Sequence, residues 1–256
     1  MTGVNPLHAR VAERVAQIFA LTDGRSAHEA LVTEYELELR FGRKRAERFD
    51  ATVPAYLALG LFDYLCNGGE RVALCATDES VVERSSAADD GMRVVHNATH
   101  TECTMMEKTA VMRHSDLVTQ RSIEADVRVS LARETRRGRL AACDRSMRGP
   151  TVRRKRRSLR FVESRRGADD FWRLDVTRLD NGVAYQLELE LEFDRALRTL
   201  AAERADLTGD AFRAYAVDAI ADRLCAVVAR LESGMERVAA RYDAAVDRLQ
   251  SAIRAR

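Results

Sequence analysis

Glu34-Tyr35-Glu36-Leu37-Glu38-Leu39-Arg40-Phe41-Gly42 is the stretch that decides the fold. Glutamates at 34, 36 and 38 and an arginine at 40 alternate with Tyr35, Leu37, Leu39 and Phe41. Period two is strand spacing, so the charges share one face and the apolar side chains the other. Wound as a helix, the same run would scatter both sets around the axis. Glutamate is disfavoured in strands, and three stacked on one face repel one another. A second copy lies near Tyr185–Asp194, where Glu188, Glu190 and Glu192 alternate with Leu187, Leu189, Leu191 and Phe193. Two such strands ask for a cation between them.

On either side of these strands the pattern changes. Leu7, Val11, Val15, Ile18 and Phe19 predict an amphipathic helix over Pro6–Ala20, ended at Thr22-Asp23-Gly24. Val53, Tyr56, Leu57, Leu61, Phe62 and Leu65 predict a second helix after Pro54, stopped by Asn67-Gly68-Gly69. Short strand-like segments follow at Arg71–Ala76, Ser80–Arg84, Met92–His96, Thr104–Met112, Ala125–Arg133, Val152–Val162 and Trp172–Thr177. Asp90-Gly91, Arg166-Gly167 and Asn181-Gly182 supply hairpin signals between neighbours. Many short antiparallel strands predict a barrel or sandwich, not a parallel α/β sheet. After Asp194 the chain turns helical, with Thr208 as N-cap. Leu224, Val228, Leu231, Met235, Val238, Tyr242, Ala245, Leu249 and Ala252 then form a heptad seam, which packs on the barrel or pairs with a second copy. Three segments result: residues 1–33, helical; 34–194, the barrel; and 195–256, a helical tail.

The 256 residues include 32% charged, yet the net charge is only +2, so the balance itself names no partner. No apolar run is long enough to span a membrane, and Met1–Arg10 has no signal-peptide core, so no membrane partner is expected. Five cysteines without paired spacing predict free thiols in a reducing, intracellular compartment.

Several strands carry charge on the alternate face. Arg153, Lys155 and Arg157 stand at period two, as do Arg173, Asp175 and Thr177. Arg128 and Ser130 share a face with Glu134 further along, and Arg93 and Lys108 add single cations. If these faces point inward, the barrel has a wet lumen with acidic strands on one wall and basic strands around it. Carboxylates suit hard Mg²⁺ or Mn²⁺, and arginine and lysine hold phosphate oxygens, so the lumen reads as a polyphosphate receptor. Arg154 and Arg156 then face away, open to a nucleic-acid or nuclear-localisation role. His96, His100 and Cys103 lack a fourth zinc ligand at suitable spacing. No glycine-rich phosphate loop or Cys-x5-Arg signature is present.

In this order the motifs resemble the metal-dependent RNA 5′-triphosphatases of fungi, protists and large DNA viruses, members of the triphosphate tunnel metalloenzymes. Glu36-Leu-Glu38-Leu-Arg40-Phe-Gly42 looks like their first signature, and Glu188-Leu-Glu190-Leu-Glu192 like their closing strand. Arg128-Val-Ser130-Leu-Ala-Arg-Glu134, Arg153-Arg-Lys155-Arg-Arg157 and Arg173-Leu-Asp175-Val-Thr177 resemble the strands between; Ser158 follows Arg157 directly. The resemblance implies an α+β, mainly β fold: an antiparallel eight-stranded barrel with flanking N-terminal helices and a long C-terminal helical tail. It implies that Glu36, Glu38 and Glu192 ligate Mg²⁺ or Mn²⁺ and that Glu190 orients the attacking water. Arg40, Arg93, Lys108, Arg153, Lys155 and Arg157 would bind the phosphates, with Arg128 and Glu134 also catalytic. Arg173, Asp175, Thr177 and Glu188 would support that wall. The implied reaction removes the γ-phosphate of 5′-triphosphate RNA, the first step of mRNA capping. The alternatives are an inorganic, thiamine or nucleoside triphosphatase of the same fold, or a noncatalytic RNA-binding or assembly protein. Arginine at position 40 followed by Phe-Gly favours the RNA branch. No Lys-x-Asp-Gly motif follows, so a separate guanylyltransferase is the expected partner. The arginine- and alanine-rich composition suggests a GC-rich genome. A viral source would place the protein in host nucleus, cytoplasm or virion.

Overall fold

The computed structural model describes residues 5–23, 33–46, 48–67, 72–85, 92–97, 103–111, 116–118, 126–140, 151–162, 169–179 and 184–254. The alternation in Glu34–Gly42 extends both ways, and strand β1 runs over Thr33–Arg45. A short strand β2 (Arg48–Asp50) turns back on it, followed by β3 (Val53–Pro54). The other strands are β4 (Val72–Ser85), β5 (Met92–Asn97), β6 (Cys103–Ala110), β7 (Asp116–Val118), β8 (Asp126–Leu140), β9 (Thr151–Val162), β10 (Asp169–Leu179) and β11 (Ala184–Leu191).

Hydrogen-bonded neighbours follow the order β1-β11-β10-β9-β4-β5-β6-β8, and β8 pairs again with β1. The pairing therefore returns to its first strand, an antiparallel eight-stranded barrel as expected. The predicted strands Arg71–Ala76 and Ser80–Arg84 are one continuous β4. Its register with β9 shifts between Leu74 and Ala76 and again between Ala76 and Glu79. Bulges absorb the polar Thr77-Asp78-Glu79 interruption without ending the strand. The hairpin signals at Asp90-Gly91, Arg166-Gly167 and Asn181-Gly182 lie outside the described residues, but the strands flanking them do pair antiparallel.

Among the described residues, four helices pack outside the barrel. Helix α1 (Pro6–Thr22) starts with Asn5 accepting from the Leu7 N–H at 3.0 Å and with proline in its first turn, both good starts. Helix α2 (Ala55–Asn67) follows Pro54; α3 (Phe193–Glu203) and α4 (Gly209–Arg254) follow β11. Leu7, Val11, Val15 and Ile18 of α1 are buried with Leu37, Leu39 and Phe41 of β1 and Leu224, Val228 and Leu231 of α4 in one apolar cluster. Each such side chain contributes about 1.5–3 kcal/mol on burial. The heptad seam divides. Its first half, to Val238, packs on the chain itself, whereas Leu249 is 64% exposed. No described helix is long and apolar enough to cross a membrane.

Gly42 permits the tightest of these approaches. A Cβ built there would lie 2.1 Å from the backbone oxygen of Asp50 and 2.9 Å from Ala51 Cα. Backbone atoms cannot swing aside as side-chain tips can. Gly42→Ala should therefore destabilise by about 2 kcal/mol or more, read as a lower urea midpoint at unchanged m-value.

Candidate active site

Cross-strand register assembles the lumen. On the β1–β11 ladder Glu38 stands opposite Glu190 and Arg40 opposite Glu188. Moving to β10, Glu190 is opposite Arg173, Glu188 opposite Asp175, and Gln186 opposite Thr177. On the other side of β1, Glu38 meets Ser130 and Arg40 meets Arg128, while Lys108 of β6 lies opposite Glu134 of β8. The alternation that set these residues on one face of each strand thus gathers them around one axis.

Each acid is held by a cation. Lys108 Nζ donates to Glu36, and also lies 3.3 Å from Glu38 Oε2 and 3.6 Å from Glu134 Oε1. Arg40 donates to Glu38 at 3.1 Å and sits 2.9 Å from Glu188 Oε1. Arg173 bridges Glu190 and Asp175, reaching the latter at 3.0 Å. Glu192 receives Arg160 Nε at 2.7 Å and has Arg173 at 3.6 Å and Arg195 at 3.8 Å. Arg128 lies over the Phe49 ring at 5.0 Å, and its buried Nε has no hydrogen-bond partner. Glu34, as its place at the start of the motif implies, is at the exposed rim, 3.6 Å from Arg136. A cavity of about 660 Å³ opens at this end, lined among others by Glu36, Glu134, Glu190, Glu192, Arg160 and Arg173.

One strand faces opposite to the sequence expectation. In the β9–β10 ladder Arg156 lies opposite Thr177, Ser158 opposite Asp175 and Arg160 opposite Arg173. Arg157 instead pairs in register with Val176 and stacks over Phe62 of α2 at 5.4 Å. Arg153 and Lys155 share the parity of Arg157, and Arg154 that of Arg156; the side chains of residues 153–155, like that of Arg93, lie outside the described residues. The physical reason is Leu159 and Phe161, both fully buried in the apolar shell. They have the odd parity of Arg157, and their burial outweighs any preference of the basic run. The adjacency of Ser158 to Arg157 carried this signal, because it puts the serine in step with Arg156. Sequence reasoning thus missed Arg156, 3.3 Å from Asp175, and Arg160.

Burial and mutual repulsion set the proton affinities. Burial lifts Glu36 to about 7, with Glu38 and Glu134 adding to the rise against the pull of Lys108. Burial likewise lifts Glu190 to about 8, Arg173 opposing and Glu36 reinforcing. Glu38 is buried too, yet Arg40 and Lys108 outweigh that and hold it below the ordinary range. Glu192 is also held low, burial being overcome by Arg160 and Arg173.

Among the described residues no three carboxylates are gathered in a metal-holding group. The donor set nevertheless fits a divalent ion. Its members are hard carboxylate oxygens, and the charge of Glu38 reaches Glu36 while that of Glu36 reaches Glu190.

A ring of antiparallel strands encloses a charged lumen in which two acidic strands pair. No protein-family model matches the sequence. No curated protein matches it either. Among solved structures, the chain is similar to S. pombe Pct1 RNA triphosphatase, with a TM-score of 0.58 at 14% identity over 91% of this chain and 95% of that one. It is similar also to Pct1 in complex with the Spt5 CTD, with a TM-score of 0.56 at 15% identity over 88% and 94%. Mimivirus capping enzyme triphosphatase gives 0.43 at 10% identity over 76% and 93%. The likeness to Pct1 is one of fold.

The raised carboxyls give a pH dependence with a definite sign. Folded Glu36 and Glu190 keep protons that the unfolded chain loses near 4.5, so stability falls as pH rises from there to about 7–8. The urea midpoint of metal-free protein should be lower at pH 8 than at pH 5.5. Glu36→Gln with Glu190→Gln should flatten that difference.

Proposed function

We propose that this protein is an RNA 5′-triphosphatase: it hydrolyses 5′-triphosphate RNA to 5′-diphosphate RNA and phosphate, the first step of mRNA capping. The observation that carries the reading is Glu38 opposite Glu190 across β1 and β11, ringed by Lys108, Arg40 and Arg173 inside an eight-stranded barrel. The fold likeness to Pct1 supports it.

Glu36, Glu38 and Glu192 would hold Mg²⁺ or Mn²⁺, with Glu190 directly beside them. When bound, the ion supplies charge neutralisation and a Lewis acid for phosphoryl transfer. The chain's own groups do the remainder. Arg40, Lys108, Arg128 and Arg156 take the phosphate oxygens and stabilise charge as the γ-phosphoryl is transferred. Glu190 orients the attacking water, whose proton passes to solvent. The bond between the γ-phosphorus and its bridging oxygen breaks, and the RNA leaves as the diphosphate. Asp175, only 1% exposed, fixes Arg156 and Arg173, and Glu188 fixes Arg40. Thr177 and Glu134 complete the two ends of the lumen. A separate guanylyltransferase would act on the product, and a second copy would cover the exposed seam at Leu249 and Ile253.

The test is phosphate release with Mn²⁺ from γ-labelled triphosphate RNA, a nucleoside triphosphate and tripolyphosphate side by side. RNA should be the best substrate, and chelation should stop turnover. Preference for tripolyphosphate would mark a small-molecule triphosphatase; release from none of the three would defeat the enzyme reading. Glu38→Ala should abolish activity while the barrel stays folded by circular dichroism. Arg156→Ala should cost about 100-fold or more in kcat, whereas Arg157→Ala should stay within a few-fold. Equal losses in the two arginine variants would contradict the observed facing of β9.

A further inference from the structure

The lining of the cavity at the acidic end is of two kinds. Barrel strands supply ionic groups, Glu36, Glu190, Arg160 and Arg173. The helices outside the barrel supply apolar ones, Ile18 of α1 with Phe193 and Leu197 of α3. The volume, about 660 Å³, lies in the range of sites that enclose a small organic ligand. Phosphate chemistry in the lumen uses only the first kind of lining. An inorganic polyphosphate offers no apolar surface to the second, whereas a flat organic ring laid there would take that surface out of water.

The apolar part is held in place by the fold. Phe193 and Leu197 stand at i and i+4 on α3 and so lie side by side on its surface. Ala196 and Leu200, fully buried, seat that helix, and the Glu192 N–H donates to the Phe171 carbonyl oxygen at 2.9 Å where β11 passes into it. The Phe193 ring meets Phe19 of α1 edge to face, with centroids 5.3 Å apart. Phe193 and Leu197 are only partly buried by these contacts, and both line the cavity. Chain order then sets spatial order. Glu188 holds Arg40, Glu190 holds Arg173, Glu192 holds Arg160, and Phe193 comes next. Glu190 and Phe193 are at most about 10 Å apart at roughly 3.3 Å per extended residue, within the reach of a triphosphate chain.

We infer that Phe193 and Leu197 form a shelf for the first nucleoside of the substrate, whose base lies against them while its phosphates run past Arg160 and Arg173 into the lumen. The shelf makes the site selective for phosphate chains that carry a nucleoside over inorganic ones. The placing of the phosphates rests on the triphosphatase reading. The shelf itself rests on the mixed lining of one cavity and on the spacing along β11 and α3.

The test is calorimetric titration of the full chain, with Mn²⁺ present, by adenosine 5′-diphosphate, pyrophosphate and thiamine diphosphate. None of the three has a γ-phosphate to lose, so binding is read without turnover. Adenosine diphosphate should bind the parent about tenfold more tightly than pyrophosphate, the scale of one base on an apolar platform. Leu197→Ser and Phe193→Ala should each remove most of that preference and leave pyrophosphate affinity as it was, while Phe193→Tyr should keep the preference. Equal affinities of the parent for adenosine diphosphate and pyrophosphate would overturn the inference, as would equal losses of both ligands in the variants. A lower urea midpoint in both variants with the preference intact would also overturn it, because Phe193 and Leu197 would then be packing residues only. So would thiamine diphosphate binding more tightly than adenosine diphosphate and losing that binding in the same variants. A parent that shows the preference, loses it in the variants and yet releases phosphate from no triphosphate would defeat the proposed reaction and leave the shelf standing.

Discussion

Buried charge is stable only when each carboxylate has a cation in reach, and the ladder register of β1 decides who meets whom. Glu38 cannot face Glu190 without also being within reach of Arg40 and Lys108. Removing one partner from such a set leaves an uncompensated buried charge, which costs far more than an exposed pair contributes. The barrel interior is therefore a lattice in which acids and bases neutralise each other. The same arrangement is ready for exchange: a divalent ion can take the carboxylates while phosphates take the cations. Structure and proposed chemistry draw on one set of contacts.

That polar interior inverts the usual barrel. With charge inside, the apolar residues of each strand must be covered from outside, and the helices do this. Leu37, Leu39 and Phe41 meet α1, while α4 lies close against α2. A Cβ on Gly60 would stand 2.6 Å from Val238, and one on Gly234 2.7 Å from Leu61, so glycines set how closely the two helices approach. A sheath of this kind explains why a long C-terminal helix belongs to the fold through Tyr242, stacked on Tyr56 of α2 at 4.0 Å, and why its last turns do not.

The two glutamate strands and the Arg173-Asp175-Thr177 strand were legible because three or four alternating positions agree in each. A one-residue slip in any of them would drive leucines into the lumen. The basic strand was not legible in the same way. Arg153–Arg157 is an unbroken cationic run with no internal alternation, and only Leu159 and Phe161 beyond it reveal which parity is inward. Thr77-Asp78-Glu79 looked like a strand break because bulges leave no mark in a hydropathy pattern. The heptad seam was read correctly as a helix. Where its covering ended depended on the helices it packs on, α1, α2 and α3.

By itself, the sequence determined the strand character of β1, β10 and β11 and the charged and apolar faces of each, since period-two alternation is a local property of the chain. Only the tertiary structure decided that Glu38 opposes Glu190 and that Arg156 and Arg160 rather than Arg157 enter the lumen. Those facts depend on register and closure, and on burying the outer faces of β1, β8, β9, β10 and β11 together. The stretch Glu34–Gly42 encoded a charged face; the ring of neighbours supplied what that face meets.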